Sequence, residues 1–474
     1  MNRVNIIQMW NNLSVAKKAS LALIFSRLCQ KGLAMISTPI FTRIMTTEQY
    51  GNISNFTSWQ GTILIVATLN LAMGVFNNGM LDFKEDRSSF MLSALALSNV
   101  CTIIVGALLV LFYPLIKDYL GLSEGLILLM FVYMLFYPAY QYWSTRQRYE
   151  YKYKLLTVWT ILIAFFQMVM GIVAVIYSVP EYQAVSKLYA SEGVIIVAGI
   201  VSCLVIAFRA KGKIKKRYIS YAFKFNIFLV PHFLAMTVLS SGDRIMIANM
   251  VGKTETAIYS VSYTVASVVL IFWEAVEASW IPWLYEHLNT NLLEPIKKRA
   301  REVVILFGGI TLIFMLFAPE AIAILASSDY YEGIYIIPSV TAGVFFQALY
   351  AMYMRLEYFS KKTKMTMIGS ITAAVANIIL NFVFIRLFGY MAAGYTTLFC
   401  YILLFLFHMF YCRRIGMKNI YDDKFILLVS AVLVIFSIVV LVLYSITPMR
   451  YLCICGLLTI IFIKRKNIAM LLKK

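Results

Sequence analysis

Arg27 and Lys31 stand four residues apart, with Gln30 between them, inside a long apolar stretch. In a helix that spacing puts both cations on one face. A positive charge in hydrocarbon is costly and tends to face a bundle interior or a watery cavity. Two of them on one face suit an anion, and Gln30 then belongs to the same polar lumen. Snorkelling of both side chains toward the nearer headgroups is the alternative. Arg244 and Arg355, in two later apolar stretches, are further candidates for contact with an anionic headgroup. For Arg355 an edge pair with Glu357 is the competing reading.

Acidic residues inside apolar stretches are candidates for ion coupling. Glu274 and Glu277 are three apart and share a helix face. Asp243 adjoins Arg244, which leaves both a local pair and an ion-coupling role open. Close to the two glutamates runs Trp280-Ile-Pro-Trp-Leu-Tyr285, an interfacial signature that would bring them near water. Asn377 and Asn381, four apart, share a face suited to interhelical hydrogen bonds or to a polar headgroup. The three histidines, His232, His287 and His408, fall in different stretches, so no shared metal site is expected. No nucleophile constellation or phosphate loop is visible, and no catalytic residue or cofactor is expected.

The elements that must position these residues are membrane helices. Hydrophobic residues make up 61% and charged residues 14%, against about 25% charged in soluble domains. Fourteen apolar spans are expected, at 19–42, 52–77, 89–113, 123–144, 155–178, 188–208, 221–248, 256–284, 302–326, 334–357, 365–385, 390–411, 425–446 and 451–463. All should be helical, because a spanning segment must satisfy its own backbone hydrogen bonds. The polar N-terminus and long first span do not read as a cleavable signal. The seven cysteines lie mostly in apolar spans and do not form a disulfide framework.

Charge orders the spans. Of the 42 Lys and Arg residues, five (Arg27, Lys31, Lys224, Arg244 and Arg355) fall inside spans. Six more (Arg43, Lys117, Lys187, Lys253, Arg386 and Arg450) fall in one alternate set of connections. All the others lie in the other set, which includes both termini. The positive-inside rule places that set, and both termini, in the cytoplasm. The net charge of +20 is then a topology signal and an attraction to anionic lipid. Nucleic acid is not an expected partner, since no folded domain presents the basic blocks.

The strongest punctuation is the basic run Arg209–Arg217. It divides a six-helix bundle at 1–208 from a second at 221–411, with a cytoplasmic linker at 209–220. Residues 412–474 form two further helices and a basic tail. Because six is even, the two halves enter the membrane in the same sense, as a parallel repeat. Thr47-Glu-Gln-Tyr-Gly and Thr254-Glu-Thr-Ala-Ile, each opening the span after a half's first span, give weak support to that repeat.

Several local patterns resemble one family. They are Lys31-Gly32, Thr38-Pro-Ile-Phe-Thr-Arg43, Tyr50-Gly51, Asp243-Arg244, Gly252, Tyr259-Ser260, Lys361-Lys-Thr363, Asn377-Ile-Ile-Leu-Asn381, Gly389-Tyr-Met-Ala-Ala-Gly394 and Thr397. Together, over roughly residues 15–415, they are similar to Wzx-type polysaccharide and O-antigen flippases of the multidrug/oligosaccharidyl-lipid/polysaccharide exporter superfamily. Where that family shows Gly-x-x-Gly-Ala-Ala, this chain has Ala392 and Gly394 instead. The resemblance implies an all-α polytopic protein with two parallel, MATE-like six-helix halves plus two C-terminal helices. It implies movement of undecaprenyl-diphosphate-linked oligosaccharide from the cytoplasmic to the outer leaflet of the bacterial inner membrane by alternating access. Arg27, Lys31, Arg244 and Arg355 would meet the diphosphate. Glu274, Glu277 and Asp243 would couple protons or sodium. The partners so implied are the lipid-linked glycan, membrane lipids, and a polymerase and chain-length regulator of the same pathway.

The alternative is a multidrug or metabolite cation antiporter of the same superfamily, for which an acidic lumen is expected. A major-facilitator transporter is disfavoured, since Gly79–Arg87 does not reproduce that family's loop pattern. A membrane glycosyltransferase or polymerase would need a large external domain, and the external connections are too short to supply one.

Overall fold

The computed structural model describes residues 15–209, 212–290, 292–362 and 364–463, and all regular secondary structure among them is helical. The basic tail at 464–474, part of the basic linker and Thr363 lie outside the described residues. The chain forms two compact units, Met1–Leu234 and Ala235–Lys474.

The first unit contains α1 (Val15–Ile44), α2 (Thr47–Ala67), α3 (Val75–Asp82), α4 (Arg87–Leu120), α5 (Glu124–Tyr149), α6 (Tyr153–Ile176), α7 (Gln183–Leu204) and α8 (Lys216–Asn226). It also holds the start of α9 (Val230–Met250). Helix α1 packs along α6, α6 and α5 pack on α7, and α2 packs on α4. Thr46 caps α2 by accepting from the Gln49 N–H, the arrangement expected of a hydroxyl at a helix start.

The span expected at 52–77 is not continuous. Helix α2 ends at Ala67 and α3 begins at Val75. Between them Leu69 and Asn70 take positive φ values of 51° and 45°, a strained region for non-glycine residues. The break is held by Asn226 of α8, which is fully buried. Its Nδ2 donates to Leu69 O at 2.6 Å, and its Oδ1 accepts from Val75 N at 2.8 Å. One amide thus satisfies two groups that the interrupted helix leaves open. Gly74 makes room for it, since a Cβ there would lie 2.1 Å from Asn226 Oδ1.

The described part of the basic linker is strapped along α4. Lys213 N and Lys215 N donate to the hydroxyls of Ser89 and Ser93, while Lys215 Nζ pairs with Asp86 at 2.5 Å. The span expected at 221–248 is two helices, α8 and α9, bent by 49°, with Val230-Pro231 opening the second. The division between units falls within α9.

The second unit adds α10 (Lys253–Ala266), α11 (Val268–Asn289), α12 (Leu293–Leu316), α13 (Ala318–Leu325), α14 (Ile337–Phe359), α15 (Lys364–Phe388), α16 (Ala392–Arg414), α17 (Asp423–Leu443) and α18 (Thr447–Ile463). Helix α14 is its axis. It is 89% buried over its apolar window and packs on α10, α11, α12, α16 and α17. The α14–α16 contact is close because small residues face each other: a Cβ on Gly394 would meet Ser339 Oγ at 2.5 Å. Such approach is how membrane helices gain van der Waals contact. Helices α12 and α13 bend by 64° ahead of Pro319.

Helices α17 and α18 pack on α12 and are pinned at both ends. Arg301 of α12 donates to Asp422, which also caps α17 at Phe425 N. At the other end Arg450 donates to Glu320 of α13 at 2.5 Å, and Tyr444 donates to Met315 O at 2.7 Å. Each of the fourteen expected spans contains helix. Among the described residues, nine helices are long and apolar enough to cross a membrane, or up to eleven if each bent pair is one span. The chain is therefore a multi-pass membrane protein, with fourteen crossings remaining an expectation.

Candidate functional site

Asp243 lies on α9 and is fully buried. Three donors from three other helices meet its carboxylate. Tyr259 of α10 donates to Oδ2 at 2.5 Å, and Thr397 of α16 donates to the same oxygen at 2.8 Å. Asn381 of α15 donates to Oδ1 at 2.6 Å. Around this first ring, Asn377 Nδ2 donates to Thr397 Oγ1 at 2.9 Å and Asn381 Nδ2 also reaches Asn377 Oδ1 at 3.1 Å. Thr396 Oγ1 donates to Asn381 Oδ1. The four-residue spacing of the asparagines places both amides on one face of α15, and the adjacent threonines begin α16 opposite them.

Asp243 does not form the local pair with Arg244. The Arg244 guanidinium donates to Ser240 O at 3.1 Å and lies over the Tyr263 ring at 4.5 Å. The buried carboxylate is thus held by neutral donors, and the network carries one formal negative charge. Its oxygens, from one carboxylate, two amides and three hydroxyls, are hard ligands. Such a set can take up a proton or a monovalent hard cation such as sodium, with the donors turning to suit. Among the described residues no group of three or more His, Cys, Asp or Glu is placed to hold a metal.

Other expected site residues sort differently. Arg355 does not pair with Glu357. It reaches across to Glu277 of α11, with Nη2 and Nε at 2.8 Å and 3.1 Å from Oε1. Glu277 is thereby neutralised, and the two Glu277 and Arg355 roles collapse into one partly buried ion pair. The reason is reach: Arg355 and Glu357 point to different sides of α14, and Glu357 turns inward to His408 and Thr366. Glu274 is exposed on α11 and engages other groups.

In the first unit, Arg27 is exposed on α1, while Gln30 and Lys31 are half-buried. Arg148 lies in the last turn of α5 and is half-buried. Its Nη2 donates to Thr145 at 2.5 Å, and its Nε is buried with no partner among the described residues. Among the described residues no ion pair of Arg27 or Arg148 with a carboxylate is seen, so the first unit offers cations at Arg27 and Arg148. By sequence alone Arg148 falls in a cytoplasmic loop, and only the packing of α5 reveals it. Thr396 likewise carries no signal in the sequence, and Tyr259 appears there only in a family-like pattern, with nothing that ties it to Asp243. The period of α15 points to the amides, but no local spacing connects them to Asp243.

The model of the polysaccharide biosynthesis protein family matches residues 16–287 of this chain. No match was found among functionally curated sequences. Among solved structures, the chain is similar to the lipid II flippase MurJ in an inward closed conformation. The TM-score is 0.65 at 14% identity, covering 95% of this chain and 99% of that one. It is also similar to an inward-facing multidrug resistance MATE family transporter of the MOP superfamily, with TM-score 0.58, 13% identity, and coverage of 82% and 96%. A MOP superfamily transporter from Pyrococcus furiosus, described as having a binding pocket of reversed polarity, gives TM-score 0.54 at 13% identity, covering 84% and 96%. At these identities the structural likenesses concern the fold.

Proposed function

Since this chain belongs to the polysaccharide biosynthesis protein family, we propose that it is a flippase for undecaprenyl-diphosphate-linked oligosaccharide, such as an O-antigen repeat unit. In this reading it carries the headgroup from the cytoplasmic to the outer leaflet of the bacterial inner membrane, with both termini cytoplasmic. No bond is made or broken. The polymerase and chain-length regulator of the same pathway would act on the delivered unit.

The observation that carries this reading is the extent of the match. The lipid II flippase fold covers 95% of the chain, whereas the multidrug transporter fold covers 82%. The difference is comparable in length to the segment from residue 412 to 474, which contains α17 and α18. A lipid-linked substrate also carries an anionic diphosphate, and Arg27, Lys31 and Arg148 supply cations in the first unit. Arg244 supplies one in the second. The competing efflux reading needs an acidic lumen, and the neutralisation of Glu277 by Arg355 weighs against it.

Ion coupling belongs to the Asp243 network in this reading. One buried negative charge amid neutral oxygens has a strong preference for a compensating proton or sodium ion. Binding there would favour one arrangement of α9, α15 and α16 over another, since it changes which donors the carboxylate needs.

Deleting the gene tests the proposal. Surface glycan should be lost while lipid-linked repeat units accumulate in the inner leaflet. Normal surface glycan, in a strain without a second flippase, would reject it.

A further inference from the structure

Glu357 on α14 and His408 on α16 are both fully buried. His408 Nδ1 lies 2.6 Å from Glu357 Oε1, and Thr366 of α15 donates to Oε2 at 2.8 Å. His408 Nε2 is buried and has no hydrogen-bond partner among the described residues. The pair therefore has one hydrogen-bonded end and one open end, and the open nitrogen is where an arriving proton can bind.

The surroundings supply no other compensating cation among the described residues. On α14, Arg355 is taken by Glu277 of α11, and Tyr358 faces Glu357. Tyr285 of α11 donates to the Arg355 carbonyl. On α16, Cys412 faces Glu357 and donates to Tyr353 O. Asp423, which opens α17, is held by Arg413 and Tyr353, and Tyr421 donates to Met352 O. Helix α12 brings the apolar Phe307 against Phe345 of α14. Lys364 is exposed at the start of α15, and Tyr263 of α10 sits further along, beside Tyr401.

Charge counting then fixes what the pair can do. An ionised Glu357 with a neutral His408 leaves one uncompensated negative charge in a fully buried place, which is strongly unfavourable. One added proton makes the pair neutral, either as imidazolium with carboxylate or as imidazole with carboxylic acid. A metal ion finds no comparable seat, because the two groups already touch and Thr366 fills the second carboxylate oxygen.

Placement adds a second argument. Thr397, Tyr401, Leu404 and His408 recur on one face of α16 over eleven residues, a rise of about 16 Å. Thr397 bonds Asp243, and the Tyr401 hydroxyl stands among Tyr263, Tyr350 and Asp243. The Tyr350 ring lies 5.5 Å from the His408 ring. The two buried acidic groups thus lie toward opposite ends of one face of α16, with the Tyr401 and Tyr350 rings between them in an apolar core.

We propose that Glu357 and His408 form a proton-binding site of the second unit, holding one exchangeable proton separately from any ion at Asp243. Its use, coupling proton movement to transport, rests on the flippase reading.

The full chain in lipid nanodiscs, with isotope-labelled histidine, decides the site. Only three imidazoles are present. Between about pH 5 and pH 9, where imidazoles titrate, one of two changes is expected. Either an imidazole signal that His408→Gln abolishes changes protonation state, or a carboxylic-acid infrared band that Glu357→Gln abolishes appears on acidification. The absence of both changes would overturn the proposal. If either variant fails to fold, Thr366→Val serves instead: it removes only the donor to Oε2 and should move the titration midpoint. An unmoved midpoint would also overturn it. Coupling is read in vesicles given a pH gradient and a polyprenyl-diphosphate-linked oligosaccharide. Gradient dependence should vanish in Glu357→Gln, and its full retention would reject coupling. Absence of transport by the wild type would instead sink the flippase reading, while the titration still decides whether the proton site exists.

Discussion

Asn381 donates to Asp243 at 2.6 Å across 138 residues of sequence. The contact ties α15 to α9 through a fully buried carboxylate, and it makes the two residues separable by mutation. Asp243→Asn keeps the shape and removes the charge. Transport should lose its dependence on the proton or sodium gradient while protein levels stay normal. Asn381→Leu keeps the charge and removes a donor. An unsatisfied buried group costs about 1–3 kcal/mol, so the thermal unfolding midpoint in detergent should fall. A variant Asp243→Asn with unaltered ion dependence would take the network out of coupling.

The cations of the first unit lead to a second expectation. Arg27→Ala combined with Lys31→Ala should reduce surface glycan at unchanged protein abundance, with lipid-linked precursor accumulating. Arg27→Lys should recover only part of the export, since a point charge lacks the forked geometry that suits diphosphate oxygens. Full export by the double alanine variant would remove both residues from substrate contact.

Helix existence and superfamily fold are legible in the sequence because apolar length and the alternation of basic loops are local signals. The interruptions are not. Leu69 and Asn70 look like ordinary span residues, and the break they make is stable only because Asn226, far along the chain, satisfies it. The amide pair Asn377 and Asn381 is visible by its spacing, whereas its partner Asp243 sits in sequence beside Arg244 and suggests a local pair. Adjacent residues on a helix point about 100° apart, so sequence adjacency argues for the wrong contact. The same error joins Arg355 to Glu357, two positions apart. Arg450 reads as an external loop charge, yet only 4% of it is exposed. His408 stands out only as a possible metal ligand, because a single buried histidine gives no spacing to read.

Acid should loosen the anchor of α17. Hydrogen bonds from Arg301, and next from the Phe425 N–H, hold the Asp422 carboxyl below the usual carboxylate range. A carboxyl whose folded pKa is depressed contributes stability that is present above its unfolded pKa, near 3.9, and is lost as pH falls through the lower, folded value. The contribution should be at most about 1 kcal/mol, because the pair is near the surface and screened. Comparing wild type with Arg301→Met at about pH 6 and about pH 3 checks this. The stability gap should narrow at the lower pH, and a gap that widens would contradict the assignment.

The pair Arg450 and Glu320 should behave asymmetrically. Arg450 is almost wholly buried, whereas the Glu320 side chain is 30% exposed. Glu320→Gln strips the counter-charge from a buried guanidinium that also donates to Leu316 O. Breaking a buried pair from that side costs about 3 kcal/mol or more. Arg450→Met leaves a carboxylate that water and Tyr451 can still satisfy, so its cost should be nearer 1 kcal/mol, the scale of one lost hydrogen bond. The double variant Glu320→Gln with Arg450→Met should be more stable than Glu320→Gln alone, since it removes the stranded charge. Thermal unfolding of the four proteins, with proteolysis reporting release of α18, measures the cycle. Equal costs for the two single changes would mean that water reaches the Arg450 head, and strictly additive costs would mean that the two residues do not interact.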